Sequence, residues 1–206
     1  MHLARPLRLL LACCALVGVG LLHAAPADDA RAALRKGVDE VTTALRERPA
    51  QDDLVAMLDS LANKHFAFAT TTRLAVGPAW RDFSEAERAR ATELFSRLIV
   101  RTYSIRLRGE TAPDIAYGSP VELRPGRIEI PTTVRSGAAT YAILYRMEQT
   151  RENASAWRVY DVVAEGVSLI ANYRSQFDPI LRESGAAGLI RSLEAKLAEP
   201  VPAGGS

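Results

Sequence analysis

An uninterrupted apolar run, Leu9 to Leu22, opens the chain behind Arg5 and Arg8. After it, apolar positions take up helical spacing. Residues 29–47 are rich in Ala, Arg and Leu and read as one helix. Leu54, Met57, Leu58 and Leu61 fall at i, i+3, i+4 and i+7, which predicts a second, with Asp52 or Asp53 near its start. His65, Phe66, Phe68, Leu74 and Val76 carry the apolar content up to Gly77-Pro78, a break. Ser84 to Glu87 spells Ser-x-x-Glu, in which hydroxyl and carboxylate each satisfy the other residue's backbone N–H. It opens a third helix whose predicted buried face is Leu94, Phe95, Leu98, Ile99 and Tyr103.

Beyond Gly109 the period changes to two. Residues 127–134, RIEIPTTV, alternate along a strand. Arg124-Pro125-Gly126-Arg127 has Pro then Gly at the central positions of a type II turn, so a strand through Val121 and Leu123 reverses into it. Tyr141, Ile143, Tyr145 and Met147 line one side of the next strand, and Trp157 to Ala164 forms a fourth. This strand runs into a helix carrying Leu169, Tyr173, Phe177, Ile180 and Leu181. Pro179 either kinks that helix or starts a fresh one behind Asp178; Gly185 reads as a stop, and Gly188–Leu197 as a last short helix. Helices, a four-stranded antiparallel meander and helices again predict an α+β fold.

The opening run is shorter than the ~20 apolar residues needed to span a bilayer. With its basic start and the small-residue exit Ala25-Pro26-Ala27, it predicts a cleaved secretory signal over residues 1–27. Leu10-Leu11-Ala12-Cys13 also resembles a lipobox, which would place lipid on Cys13. Both cysteines, Cys13 and Cys14, leave with the leader, so the exported domain, residues 28–198, is held by its core and not by disulfides. Losing Arg5 and Arg8 from 26 basic residues leaves 24 against 24 acids. That balance argues against nucleic acid as a partner and against a strongly basic membrane-surface patch. The tail EPVPAGGS, residues 199–206, reads as disordered.

Catalytic chemistry finds little support. Asp161 and Glu165 sit four apart in a strand, about 13 Å at roughly 3.3 Å per residue. Paired catalytic carboxylates in glycosidases stand only about 5 to 9.5 Å apart. Asp161 instead suits a nearby turn, and Glu165 the cap of the following helix. His65 is the one histidine left after export, which with no cysteine makes a zinc site untenable. No nucleophile elbow or glycine-rich phosphate loop occurs. An apolar pocket with few ionisable groups is the remaining candidate for function, with no cofactor.

Val159-Tyr160-Asp161-Val162-Val163-Ala164-Glu165-Gly166-Val167-Ser168-Leu169-Ile170, followed by Tyr173-Arg174-Ser175-Gln176-Phe177, resembles the hallmark of the MlaC family. Phe66-Ala67-Phe68, Val76-Gly77-Pro78-Ala79-Trp80 and Phe83-Ser84-Glu85-Ala86-Glu87-Arg88 are similar to its earlier landmarks, with Val76 and Pro179 as departures. The resemblance implies an NTF2-like arrangement, with helices on a curved antiparallel sheet and phospholipid acyl chains between them. It also implies a periplasmic shuttle between an outer-membrane lipoprotein–porin complex and an inner-membrane ABC transporter with an MCE-domain subunit, without chemistry on the lipid. Strand parity puts Tyr160, Val162 and Ala164 on one side, and Trp157, Val159, Asp161, Val163 and Glu165 on the other. With the first set inward, the expected lipid-binding residues are Phe95, Leu98, Ile99, Tyr103, Val134, Ile143, Tyr145, Tyr160, Val162, Ala164, Val167 and Ile170. A carrier of another lipid, such as a hopanoid, is one alternative. An NTF2-like enzyme using Asp161, His65 or Tyr160 is another.

Overall fold

The computed structural model describes residues 26–47, 51–107, 113–150, 153 and 156–200. The expected leader up to Ala25, Cys13 included, and the expected tail beyond Pro200 lie outside the described residues. Helices α1 (Pro26–Arg46) and α2 (Gln51–His65) follow the predicted stretches. A helix that the periodicity does not announce comes next, α3 (Phe68–Val76). Its Thr70-Thr71-Thr72 run is poor in helix propensity. Tertiary bonding overrides that preference: the Thr71 hydroxyl lies 2.8 Å from the carbonyl of Tyr160, and Thr72 bonds back to Phe68 at 2.8 Å. Gly77, at φ 69°, ends α3 and passes into a short 3-10 helix, Gly77–Asp82.

The capping box forms as the sequence predicts. The Ser84 N–H donates to Glu87 Oε2 at 2.9 Å, and the Glu87 N–H to Ser84 Oγ at 3.3 Å. Helix α4 (Glu85–Leu107) buries Leu94, Phe95, Leu98 and Ile99. Tyr103, expected on that face, is 41 % exposed. Val100 and Ser104 are buried in its place, because the far end of α4 packs on α2 through Leu54 and Leu58.

The sheet has six antiparallel strands, not four: β1 (Asp114–Tyr117), β2 (Val121–Arg124), β3 (Arg127–Ser136), β4 (Ala139–Gln149), β5 (Trp157–Ala164) and β6 (Val167–Ser168). Their order is β1-β3-β4-β5-β6, with β2 also paired to β3. The expected turn joins β2 to β3, with Gly126 at φ 75°. β1 and β2 together make one interrupted edge along β3. The break suits Pro131, whose carbonyl accepts from the Gly118 N–H at 2.8 Å and whose missing N–H faces the same side.

Register overturns the parity argument in β5. Asp161 opposes Arg146, but Val159 opposes Met147, so Tyr160 is an extra, bulged residue. Trp157 and Val159 therefore share a face with Met147, while Val162 and Ala164 share it with Tyr145 and Ile143. Tyr160 turns to the opposite face, under the Arg127 guanidinium at 4.2 Å. That face carries Arg127–Glu148, Arg146–Glu129 and Arg146–Asp161 pairs at 2.7, 2.9 and 3.1 Å.

Glu165 and Gly166, at φ 48° and 80°, turn β5 into β6. Ser168 caps α5 (Leu169–Ala198), accepting from the Ala171 N–H at 3.1 Å. Glu165 is not the cap: it accepts from the Ala142 N–H at 2.5 Å, holding the turn to β4. α5 runs through Pro179 and breaks at Gly185, φ 58°, where the sequence predicts a stop.

Buried side chains form three clusters. One joins α3, α4 and α5 around Phe95, Tyr173 and Phe177. A second joins α1 to the sheet through Leu34, Ile130, Met147 and Trp157. The third, around Leu45, Leu54, Leu58 and Val100, ties α1, α2 and α4.

Candidate functional site: an apolar cavity under the first helix

Ala33, Leu34, Gly37, Val38, Val41, Thr42 and Leu45 recur at helical spacing and give α1 one continuous apolar stripe. The stripe faces the sheet but does not fill the space beneath it. A cavity of about 270 Å³ remains, walled by that stripe, by His65, by Pro113, Ile115 and Val134, and by Ile143, Tyr145, Met147, Trp157 and Val159. Ala33 to Leu45 is twelve residue steps, about 18 Å at ~1.5 Å each, so the cavity is elongated along the helix.

Among the described residues, no Asp, Glu, Lys or Arg lines it. The Thr42 hydroxyl is satisfied by the Val38 carbonyl at 3.0 Å. His65 Nε2 lies 2.7 Å from Glu40 Oε2. Burial pushes the Tyr145 phenol up to about 12, with a smaller contribution from Tyr117, so it stays neutral across the physiological range. Polar groups hold α1 at its margins. Arg31 donates to the Gly118 carbonyl at 2.6 Å, Arg35 lies 4.7 Å from the Tyr117 ring centre, and Lys64 meets Glu40 at 2.7 Å. Hydrogen bonds from His65 and then Lys64 hold the Glu40 carboxyl down at about 2.

Two other concavities are of a different character. An open groove of about 820 Å³ between α1 and α2 is rimmed by Arg35, Lys36, Asp39, Glu40 and Glu47. A polar cleft of about 340 Å³ lies on the far face of the sheet, beside Arg146, Asp161, Ser168 and Arg174. There Asp161 is 2 % exposed and fully engaged. It accepts from Ser168 Oγ at 2.7 Å, Arg146 at 3.1 Å and the Ile170 N–H at 3.2 Å. It pins the start of α5, and both of its oxygens are engaged in holding that junction. Among the described residues no three of His, Cys, Asp and Glu gather to hold a metal ion, and no helix is long and apolar enough to cross a membrane.

Of the residues expected to bind lipid, Val134, Ile143 and Tyr145 line the cavity. Val162 packs against its cluster, and Ala164 lies further along the same face. Phe95, Leu98 and Ile99 are elsewhere, packed into the cluster with α3 and α5. Tyr103 is exposed on α4, Val167 exposed in β6, and Tyr160 and Ile170 border the polar cleft. The sequence reading missed the α1 wall, Met147, Trp157 and Val159. The α1 stripe is visible in the spacing of Leu34, Val38, Val41 and Leu45, and Met147 shares the β4 side of Ile143 and Tyr145; Trp157 and Val159 are hidden behind the Tyr160 bulge.

No curated protein matches the chain. Among solved structures it is similar to a phospholipid-binding protein from Ralstonia solanacearum, determined in complex with a phospholipid. The TM-score is 0.72 at 23 % identity, over 82 % of this chain and 97 % of that one. The sequence matches the family described as MlaC protein over residues 35–195, from the third turn of α1 to the last turn of α5. The chain belongs to the MlaC family.

Proposed function

We propose that the protein is a periplasmic phospholipid carrier that holds acyl chains between α1 and the sheet. The observation that carries this reading is an elongated cavity whose lining, among the described residues, has no Asp, Glu, Lys or Arg. Membership of the MlaC family and the fold shared with a phospholipid-bound protein support it. About 0.8 kcal/mol per buried methylene makes acyl chains strong ligands for such walls without any charge pair. At about 270 Å³ the cavity lies below the ~300–1,000 Å³ common for small-molecule sites. A two-chained lipid therefore enters only as α1 and the sheet part, and the lipid is released as they close.

The donor and acceptor in this reading are an outer-membrane lipoprotein–porin complex and an inner-membrane ABC transporter with an MCE-domain subunit. No bond of the lipid is made or broken. Native mass spectrometry of protein purified from cells tests the proposal. A co-purifying diacyl phospholipid is the expected result. A polycyclic lipid in its place would redirect the carrier to isoprenoids, and an empty protein that turns over a small carbonyl substrate would sink it. Transfer of labelled phospholipid between vesicles bearing the two complexes tests the shuttle itself.

A further inference from the structure

Trp157 is a wall residue whose buried polar atom is left over among the described residues. It is 5 % exposed, and its indole Nε1–H has no acceptor among the described residues. Buried indole N–H groups ordinarily find a partner. The buried apolar residues clustered with it are Met147, Val159, Ala30 and Leu34, and its cross-strand partner Gln149 does not accept from the indole. The Tyr160 bulge creates the situation, because uninterrupted pairing would have sent Trp157 to the polar face among Arg127, Glu129 and Arg146. Further along the same wall, the Tyr145 hydroxyl also makes no hydrogen bond among the described residues. Neutral donors in an otherwise apolar cavity ask for a ligand that is mostly hydrocarbon and carries a neutral acceptor. A phosphate does not suit: among the described residues no Lys or Arg lines the cavity to offset its desolvation, and His65 is already engaged by Glu40. A carbonyl oxygen does.

We infer that the Trp157 indole N–H donates to an acyl ester carbonyl of the bound lipid, so that the site reads ester-linked chains and not hydrocarbon alone. This rests on the carrier reading above. When α1 and the sheet part to admit the chains, the donor sealed in the contracted cavity meets the ester at the head of a chain. Dialkyl ethers and fused-ring hydrocarbons lack that acceptor and leave the donor unsatisfied.

The test uses delipidated mature protein and two phosphatidylglycerols of equal chain length, one diacyl and one dialkyl ether. The expected preference is about tenfold for the diacyl lipid, the weight of one hydrogen bond to a buried donor. Trp157→Phe should erase the preference, so that the diacyl and ether lipids bind the variant alike. A direct readout does not depend on that variant folding. The chain has two tryptophans, so ¹⁵N-labelled protein shows two indole N–H signals, and Trp80→Phe assigns them. The Trp157 signal should move downfield with the diacyl lipid and not with the ether. Equal affinity for the two lipids, or an indole signal that ignores the ester, overturns the inference and leaves the carrier standing. Failure of folded wild-type protein to bind either lipid overturns both.

Discussion

Asp161 offers the sharpest test of how the strand-to-helix junction is held. Its carboxylate is 2 % exposed and takes three hydrogen bonds, from Arg146, Ser168 and the Ile170 N–H. Asp161→Ala removes all three acceptors at once. Arg146 keeps Glu129 at 2.9 Å, so its guanidinium is not stranded. The half-buried Ser168 hydroxyl and an N–H in the first turn of α5 are left without this acceptor. Charged hydrogen bonds contribute ~1.5–3 kcal/mol, and breaking a buried ion pair costs ~3–5 kcal/mol, so the expected loss is about 3 kcal/mol. At ~2–4 °C per kcal/mol for a domain of this size, Tm should fall by about 6–12 °C. Asp161→Asn keeps one neutral acceptor oxygen, which serves Ser168 or the Ile170 N–H but not both, and should lose roughly half as much. Thermal and urea unfolding measure both, and Ser168→Ala in a double-mutant cycle isolates the shared bond. Lipid loading should persist at temperatures where the variants remain folded, because Asp161 lies on the face away from the cavity. An Asp161→Ala protein within about 1 kcal/mol of wild type would refute the reasoning. So would a stable variant that no longer loads lipid.

Three further tests address other elements. Val38→Trp places a large ring in the cavity and should abolish co-purifying phospholipid while preserving the helical circular dichroism, at ~1–3 kcal/mol of overpacking; wild-type occupancy would reassign the site. Glu40 is held at about 2 against an ordinary 4.5, chiefly by its hydrogen bond to His65, so its stabilising contribution is full above about 4.5 and fades as pH falls through about 2. The urea midpoints of wild type and Glu40→Gln should therefore differ steadily near neutrality and converge on acidification; a gap that widens in acid contradicts the pairing. Gly166 sits at φ 80° with nothing within 4 Å of an added Cβ, so Gly166→Ala should cost ~1 kcal/mol from backbone conformation alone, and a neutral result would deny the left-handed turn.

Local signals were legible where both partners lie close in sequence. The Ser84–Glu87 box, the Pro125-Gly126 turn and the Gly185 break depend on residues within one turn of each other, and each forms as predicted. α3 was hidden because its threonines are secured by a carbonyl 89 residues away. β1 is four residues long and acquires its identity only by pairing with β3. The bulge at Tyr160 carries no glycine or proline to announce it, yet it decides which half of β5 faces the cavity. Phe95, Leu98 and Ile99 were legible as buried, but periodicity does not say against what. They meet Tyr173 and Phe177 from α5, and the cavity arises where α1 meets the sheet with space to spare.

The division of the buried side chains has a dynamic meaning. Phe95, Phe177, Leu189 and Leu193 back the amides of α4 and α5 with tightly packed atoms on both sides. α1 spends much of its apolar stripe on a space it does not fill, and its margins are held by hydrogen bonds and ion pairs near water. Segments with few packed contacts exchange their amide hydrogens through local opening, well below the free energy of global unfolding. Deuterium should thus enter α1 far sooner than the centre of α4, and bound lipid should slow the first and leave the second unchanged. The protein's resting fluctuations would then already contain the motion by which it takes up its cargo.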